Sequence, residues 1–256
     1  MLVLVIIRSL IFNILYYPLA FVFLALTSTF GWFVPYKWVG FAWNDCIMPF
    51  FRVLLWAVCG LKIEIRGKQN IAKGGAIYAS KHQSAMETYF LTSIIKKGAT
   101  FIFKKELSYV PFFGWAVAAY GSIPVDRSGG SAAMKKMLDI SKDFINEGRS
   151  IIIFPEGTRT KPGSCKEYKP GIAFIYQNVD APVIPVALNT GFFWKKHSFL
   201  RYPGKVIFEF MKPIERNLDK REFIAELQNI IEVKCSELNA ETIKNYPYAA
   251  AAAEKE

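Results

Sequence analysis

Hydrophobic and polar residues are distributed unevenly along this chain, and the pattern separates an apolar beginning from the rest. From Ser9 to Tyr36 no residue is charged, and Arg8 is the only charged residue before Lys37. This length exceeds the roughly 20 residues that a helix needs to cross a bilayer. The pattern predicts a membrane-inserted helix, and it disfavours the alternative of a helix buried in a soluble core, because such helices rarely lack charge over this length.

A second apolar stretch, Trp38–Cys59, has a different pattern. Asp45 and Arg52 are seven positions apart and fall on the same side of a helix, with large apolar side chains around the rest. Pro49 should kink this helix. The stretch predicts one of two structures. It is an interfacial or re-entrant helix that completes an N-terminal hairpin, or it is a helix buried in a soluble core. The pattern does not favour either.

After Gly60 the pattern changes to short β-branched or aromatic runs that alternate with helix-like stretches. The predicted strands are Lys62–Arg66, Ala76–Ala79, Thr100–Phe103, Ser122–Val125, Ser150–Phe154, Val183–Ala187 and Lys205–Phe210. The predicted helices are Ser84–Lys96, Phe112–Ala119, Ser131–Glu147, Ile172–Asn178 and Asp219–Leu238. Runs such as SIIIF and PVIPVAL are apolar on both faces, as in central strands covered by helices. We expect an α/β fold with a mixed, largely parallel sheet covered by helices.

These patterns divide the chain into three parts. Residues 1–60 are predicted to form a membrane-associated helical hairpin, and residues 61–244 an α/β domain. Residues 245–256, which include five alanines and end in Glu-Lys-Glu, lack a core-forming pattern. We expect this tail to be disordered or an addition from cloning.

Charge and cysteine usage narrow the classes of partner. The formal net charge is +11, which favours an anionic partner such as a phospholipid surface, a phosphorylated substrate or nucleic acid. The four cysteines stand alone, without a C-x-x-C pair, which is typical of a reduced, cytosol-facing protein without structural disulfides. With only two histidines, a dedicated metal site is not expected.

The stretch SKHQSAME carries the first candidate chemistry, His82 followed five positions later by Glu87. On one continuous helix these side chains would point about 140° apart. They can meet if a strand ends near Ser80 and a helix begins at Ser84, since Ser84 and Glu87 then form a capping box that turns Glu87 back toward His82. A capping box alone explains Ser84 and Glu87 without catalysis. However, His82 follows the carboxyl end of a buried strand, where α/β proteins place their sites.

A catalytic reading of His82 implies that the nucleophile comes from the substrate. The chain has no G-x-S-x-G motif, which disfavours a serine hydrolase. A histidine–carboxylate pair without its own nucleophile suits a substrate hydroxyl group. His197 has no neighbouring carboxylate in the sequence and is interpreted as a surface residue.

Three further blocks carry unusual residues. Arg127 lies just after a predicted strand and before a helix start at Ser131, a combination that suits a phosphate, although a lone arginine is more often a solvated surface residue. The stretch FPEGTR follows a buried strand, and Glu156 and Arg159 could simply pair across its turn. Pro185 inside the apolar run VIPVAL predicts an edge strand or a bulge.

Together and in this order, these blocks resemble the glycerolipid acyltransferase superfamily, and most closely its bacterial-type 1-acyl-sn-glycerol-3-phosphate acyltransferases. The resemblance covers roughly residues 60–190, and FPEGTR is its most specific motif. The acid of the family's first block is an aspartate, whereas here it is Glu87. This departure keeps a carboxylate on a longer side chain, and it leaves room for a subfamily with another lysolipid acceptor.

The resemblance implies a role for each matched residue. His82 would be the general base for the acceptor hydroxyl, and Glu87 would orient it. The substrate-binding residues would be Arg127, Glu156, Gly157, Thr158 and Arg159, with Lys105 as a further candidate for the same phosphate. Val183–Val186 would line the path of the acyl chain.

The implied reaction transfers a fatty acyl group from acyl-CoA or acyl carrier protein to the sn-2 hydroxyl of lysophosphatidate, giving phosphatidic acid, with no cofactor. The chain would work at the cytosolic leaflet of the cytoplasmic membrane, whose anionic surface suits the positive charge. Acyl transfer to another lysolipid, such as a lyso-ornithine lipid or a lysophospholipid, is the alternative within enzymes. A non-catalytic, basic membrane- or nucleic-acid-binding protein is the other class. The absence of any nucleic-acid-binding signature disfavours nucleic acid.

Overall fold

The computed structural model describes residues 2–96, 98–126 and 129–254, and this part of the chain is a seven-stranded sheet with helices on both faces. The strands are β1 (Leu61–Arg66), β2 (Ile77–Ser80), β3 (Thr100–Lys104), β4 (Ile123–Val125), β5 (Ile151–Ile153), β6 (Val183–Leu188) and β7 (Gly204–Phe210). The helices are α1 (Leu2–Phe30), α2 (Tyr36–Phe41), α3 (Met48–Leu54), α4 (Met86–Ile95), α5 (Phe113–Ala119), α6 (Gly130–Asn146), α7 (Gly171–Asn178), α8 (Lys220–Asn245) and α9 (Pro247–Glu254). Each strand and helix predicted after Gly60 has a counterpart here.

The order of the strands brings four loops together at one edge of the sheet. The order is β1-β7-β6-β2-β5-β3-β4, and of the ladders that the described residues form, only β6–β7 is antiparallel. The mixed, largely parallel sheet predicted from the sequence is therefore confirmed. Because β2, β3, β5 and β6 run in the same direction, their carboxyl ends meet at one edge, where α/β folds place their sites.

The central strands bury both faces, as their uninterrupted apolar runs predict. Along β2, Tyr78 packs with α4 and the N-terminal helices on one face, while Ile77 and Ala79 pack with α6, α7 and α8 on the other. Ile152 and its neighbour Ile151 divide in the same way on β5. This alternation follows from the two-residue period of a strand.

The N-terminal hairpin, Leu2–Cys59, consists of α1 and a second helical segment that contains α2 and α3. In the second segment π-helical turns occupy Ala42–Ile47 and Leu55–Cys59. Pro49, where a kink was predicted, lies in the first turn of α3, directly after the π-helical turn Ala42–Ile47. The helical stretches Leu2–Phe33 and Tyr36–Cys59 are both long and apolar enough to cross a membrane, which suggests membrane association.

Helix α1 lies against the α/β domain along most of its length. Phe12 and Tyr16 pack edge-to-face on Trp194, which follows β6. Toward its other end Thr27 and Ser28 are buried, and α1 lies against α5 there. The opposite face of α1 exposes large apolar side chains, among them Leu2, Val3, Ile7, Leu10, Ile11, Ile14, Leu15, Phe21 and Val22. One face of this helix therefore packs against the domain, and the other face is apolar and exposed.

Two expectations from the sequence differ from the structure. Pro185 was predicted to mark an edge strand or a bulge, and because β6 lies between β7 and β2, the edge alternative is excluded. The proline is tolerated because the ladder with β7 begins only at Val186, and Pro185 needs only to accept a hydrogen bond from the Met211 N–H (3.0 Å). The tail is not irregular throughout, since Pro247–Glu254 form α9 with Ala249 and Ala250 buried. Alanine has the highest helix propensity, and its small side chain lets α9 pack closely against the domain without a stripe of large apolar residues.

Candidate active site

His82 is held at the carboxyl edge of the sheet by neighbouring loops. Its backbone N–H donates to Glu156 Oε2 (3.1 Å), and its carbonyl oxygen accepts from the Thr160 N–H (2.8 Å). Its imidazole stacks on Phe154, with 4.0 Å between ring centroids and 20° between planes. The side chain is 15% exposed. The loop after β5 therefore fixes the backbone and the ring plane of the histidine that follows β2.

The predicted meeting of His82 and Glu87 occurs. His82 Nδ1 lies 3.4 Å from Glu87 Oε2, a distance at which an imidazolium and a carboxylate attract strongly, although the approach lacks the geometry of a hydrogen bond. Catalytic hydrogen bonds are often long without substrate and tighten when it binds. Since Nδ1 faces the carboxylate, Nε2 is the nitrogen available to a substrate.

The carboxylate of Glu87 is fully buried and held by three donors. It accepts from the backbone N–H groups of Gln83 (3.1 Å) and Ser84 (2.9 Å) and from the Thr190 hydroxyl. Half of the predicted capping box is thus present, with Glu87 reaching back to the Ser84 N–H. The other half differs, because α4 begins at Met86 and the Ser84 hydroxyl accepts from the Met86 N–H (3.2 Å) instead of from Glu87.

Glu156 of the FPEGTR block lies inside the protein. Its carboxylate accepts from the His82 N–H and the Thr160 hydroxyl (2.9 Å) and pairs with Lys81 Nζ (2.9 Å), and its side chain is fully buried. The expectation that Glu156 binds the acceptor therefore does not fit its position. Glu156 holds the backbone of His82 in place. Its ion-pair partner is Lys81, and not Arg159 as a simple pairing across the turn would require.

Lys81 connects this support to α8. Its ammonium group also contacts both oxygens of Glu232 (2.7 and 2.9 Å) and the Ser164 carbonyl oxygen (2.8 Å). Burial alone would lower the pKa of Lys81, but the hydrogen bonds to Glu232 and Glu156 outweigh it and raise the pKa above its ordinary value. The sequence analysis missed this lysine, although it directly precedes the histidine.

A cavity of about 630 Å³ opens beside His82. Gly157, Thr158 and Arg159, which were predicted to bind the substrate, line it. Most of its other walls are apolar and come from the hairpin, β3, α4 and α5, including Phe23, Leu24, Val39, Trp43, Tyr89, Phe101, Phe103, Phe113, Ala116 and Val117. The cavity therefore combines a base, a cation and a long apolar surface.

Other predicted site residues lie elsewhere. Lys105 is outside the cavity wall and pairs with Asp126 (3.1 Å), whereas its neighbour Lys104 lines the cavity. Val183–Val186, which the resemblance places along the path of the acyl chain, are fully or almost fully enclosed in β6 and do not line the cavity. Arg127 lies outside the described residues.

Comparisons with known proteins identify relatives of this chain. A family model described as "Acyltransferase" matches residues 62–189. The chain is 32% identical over 238 residues to a 1-acyl-sn-glycerol-3-phosphate acyltransferase of Pseudomonas aeruginosa, covering 92% of this chain and 91% of that one. It is 30% identical over 188 residues to the enzyme of that name from Escherichia coli, covering 71% and 76%.

Among solved structures, the 1-acyl-sn-glycerophosphate acyltransferase of Thermotoga maritima superposes with a TM-score of 0.72 at 21% identity, covering 91% of this chain and 97% of that one. At this identity the superposition supports the fold alone. The family model spans half of the chain and includes the histidine and FPEGTR blocks, and the Pseudomonas relative matches almost the whole length. This chain belongs to the acyltransferase family.

Proposed function

We propose that this protein transfers a fatty acyl group from an acyl thioester to the sn-2 hydroxyl of 1-acyl-sn-glycerol-3-phosphate, producing phosphatidic acid. The names of its bacterial relatives support this reaction. The observation that carries it is the cavity, which joins His82 to Arg159 on one side and to apolar walls on the other. A base, an anion-binding cation and room for hydrocarbon are what a phosphorylated lysolipid and a fatty acyl group require.

The geometry supports direct transfer through His82. Its Nε2 takes the proton of the acceptor hydroxyl while the hydroxyl oxygen attacks the thioester carbonyl carbon. The resulting imidazolium lies beside the Glu87 carboxylate, which stabilises it. When the C–S bond breaks, the imidazolium returns its proton to the leaving thiolate, and the acyl group remains on the acceptor oxygen as an ester. No cysteine or serine is among the described residues that line the cavity, consistent with a mechanism without an acyl-enzyme.

Two cations of the cavity suit the phosphate of the acceptor. Arg159 has no carboxylate partner among the described residues, so its guanidinium is available for bidentate contact with phosphate. Lys104, which also lines the cavity, pairs among the described residues with the exposed carboxylate of Glu106 (3.0 Å), which a phosphate can replace. Arg159 therefore takes the main role and Lys104 a supporting one.

The hairpin supports a position at the membrane surface. Because α1 buries residues from Val5 to Ser28 against the α/β domain, inserting its exposed face in one leaflet leaves the domain in water, whereas crossing the bilayer would draw the domain in with it. We place the protein at the cytosolic leaflet of the cytoplasmic membrane, where the net charge of +11 favours anionic lipids. Phe23, Leu24 and Trp43 of the hairpin line the cavity, so a lysolipid can enter it from the bilayer.

The test is transfer by the detergent-purified protein from palmitoyl-CoA to lysophosphatidate, with phosphatidic acid quantified by mass spectrometry. His82→Ala should abolish transfer while its melting temperature stays close to that of the parent protein. The same assay with lysophosphatidylcholine, lysophosphatidylglycerol and lyso-ornithine lipid tests the acceptor. A higher kcat/KM for one of these than for lysophosphatidate, or turnover by the His82→Ala protein, would overturn the proposal.

A further inference from the structure

A second, strongly basic pocket adjoins the cavity and has no role in the reaction described so far. This basic pocket has a volume of about 420 Å³ and is lined by Arg159, which it shares with the cavity, and by Lys161, Lys166, Lys195 and Lys196. His197 also lines it, and no aspartate or glutamate does so among the described residues. The described walls of the pocket therefore concentrate positive charge.

This charge contrasts with several basic positions elsewhere in the protein. Lys81, Lys105 and Lys234 each pair with a carboxylate within 3.1 Å. In the part of the chain that the structure describes, Arg159, Lys161, Lys166 and Lys196 form no such ion pair. Clustered like charges repel one another, and an anion bound among them removes that repulsion. This arrangement of cations therefore favours the binding of a polyanionic ligand.

Gln83 adds an unfilled donor to the wall of the basic pocket. The side chain is 1% exposed, and its Oε1 accepts from the Gly191 N–H at 3.0 Å, which fixes the orientation of the amide. Its Nε2 is buried and has no hydrogen-bond partner. Buried amide donors almost always have partners, and this one belongs to the residue that directly follows His82.

We propose that the basic pocket binds the phosphorylated pantetheine head of the acyl thioester donor. This inference rests on the proposed function. The donor joins an apolar acyl chain to a polyanionic head through a thioester, and the apolar cavity and the basic pocket meet at Arg159 in the same way. With the acyl chain in the cavity and the thioester at His82, the pantetheine arm passes Gln83, whose Nε2 donates to a carbonyl oxygen of the arm.

The composition of the walls distinguishes this pocket from the site of the acceptor phosphate. A phosphate monoester carries about −1.5 to −2 charges, which Arg159 and Lys104 of the cavity can balance. The four lysines of the basic pocket exceed that need. None of its described lining residues comes from the hairpin, whereas the cavity has several. A water-soluble donor reaches a pocket of this kind from the cytosol, while the lysolipid enters by way of the hairpin.

The test is the double variant Lys161→Ala/Lys196→Ala, with Lys142→Ala on the exposed face of α6 as a control. We expect the KM for palmitoyl-CoA to rise about tenfold in the double variant, the size expected for losing two charge-assisted contacts near the surface. The KM for lysophosphatidate should change less than about twofold, and Lys142→Ala should change neither. Palmitoyl-pantetheine, which has no phosphate, should be used equally well by the parent protein, the double variant and Lys142→Ala.

Assays with two acyl donors identify which phosphate the pocket binds. An equal loss with palmitoyl-CoA and palmitoyl carrier protein assigns the pocket to the phosphate that both share, and a loss with palmitoyl-CoA alone assigns it to the nucleotide phosphates. A rise in the KM for lysophosphatidate alone, an unchanged donor KM, or an equal loss with palmitoyl-pantetheine would overturn the proposal. Calorimetric binding of CoA without acceptor keeps this test separate from the proposed function. If the parent protein binds CoA and the double variant does so about tenfold more weakly, the pocket stands even if lysophosphatidate proves not to be the acceptor.

Discussion

The charge of Glu87 offers the sharpest test of the catalytic pair, because the carboxylate has two separable tasks. It holds the start of α4 by accepting the N–H groups of Gln83 and Ser84, and it faces the His82 ring at 3.4 Å. In Glu87→Gln the side-chain oxygen still accepts a backbone N–H, so the loop is largely kept. What disappears is the negative charge beside the imidazolium that forms during transfer.

The distance sets the expected magnitude. Two unit charges 3.4 Å apart attract by about 1 kcal/mol in water and about 5 kcal/mol at an effective dielectric constant near 20. Glu87 is fully buried, whereas the His82 side chain is 15% exposed, which places the pair between these limits. A loss of about 2–4 kcal/mol of transition-state stabilisation corresponds to a fall in kcat of about 30- to 1,000-fold.

The measurement is kcat and KM for lysophosphatidate with saturating palmitoyl-CoA, together with the melting temperature. Glu87→Asp is the matched control, because it keeps the charge on a shorter side chain and should stay within about tenfold of the parent kcat. We expect Glu87→Gln to lose kcat with little change in KM. If its kcat equals that of the parent protein, Glu87 serves only the helix start and the histidine acts alone.

Three further changes probe the surroundings of the site. Thr190→Val removes the hydroxyl that donates to Glu87 and should lower kcat about tenfold through loss of one hydrogen bond to a charged group, while Thr190→Ser should restore it. Lys81→Met leaves the buried Glu156 carboxylate without its cation and should reduce the free energy of unfolding by about 3–5 kcal/mol in chemical denaturation; a change below about 0.5 kcal/mol, the size typical of exposed positions, would contradict this. Ala116→Phe, which fills part of the cavity, should shift donor preference from palmitoyl to shorter chains by about fourfold in kcat/KM per displaced methylene, measured in competition assays. An unchanged chain preference would show that the acyl chain lies elsewhere.

The elements that could be predicted are those that local pattern determines. The runs around Ile151–Ile153 and Val183–Leu188 are β-branched, short and bounded by turn residues, so both their type and their burial follow from neighbours in sequence. The meeting of His82 and Glu87 also depends only on a strand end and a helix start a few residues apart. Where local signals were weak the pattern did not reveal the element, as in the alanine-rich α9, whose packing depends on small size instead of an apolar stripe.

The contacts that could not be predicted join distant parts of the chain. Lys81 meets Glu156 and Glu232, Thr190 meets Glu87, and Gln83 meets Gly191, with separations of 75 or more positions. No periodicity within a strand or helix reports such a pair. Glu156 shows the consequence: its motif indicated a functional site correctly, but only the fold shows that its carboxylate holds His82 instead of a substrate.

The residues of the site, predicted and unpredicted, come together because of the direction of the strands. Because β2, β3, β5 and β6 are parallel, the residues that follow each of them converge on one edge of the sheet, and each loop contributes a different group to that edge. β2 leads to His82, β5 to Arg159, β6 to Thr190 and Lys196, and β3 ends at Lys104. A sequence pattern describes one strand end at a time, so it identifies the base and the FPEGTR turn separately. The loop after β6, in which the roles of Thr190 and Lys196 were not predicted, supplies both a donor to Glu87 and a wall of the basic pocket. Variants at these two residues should separate the positioning of Glu87 from the binding of the acyl donor.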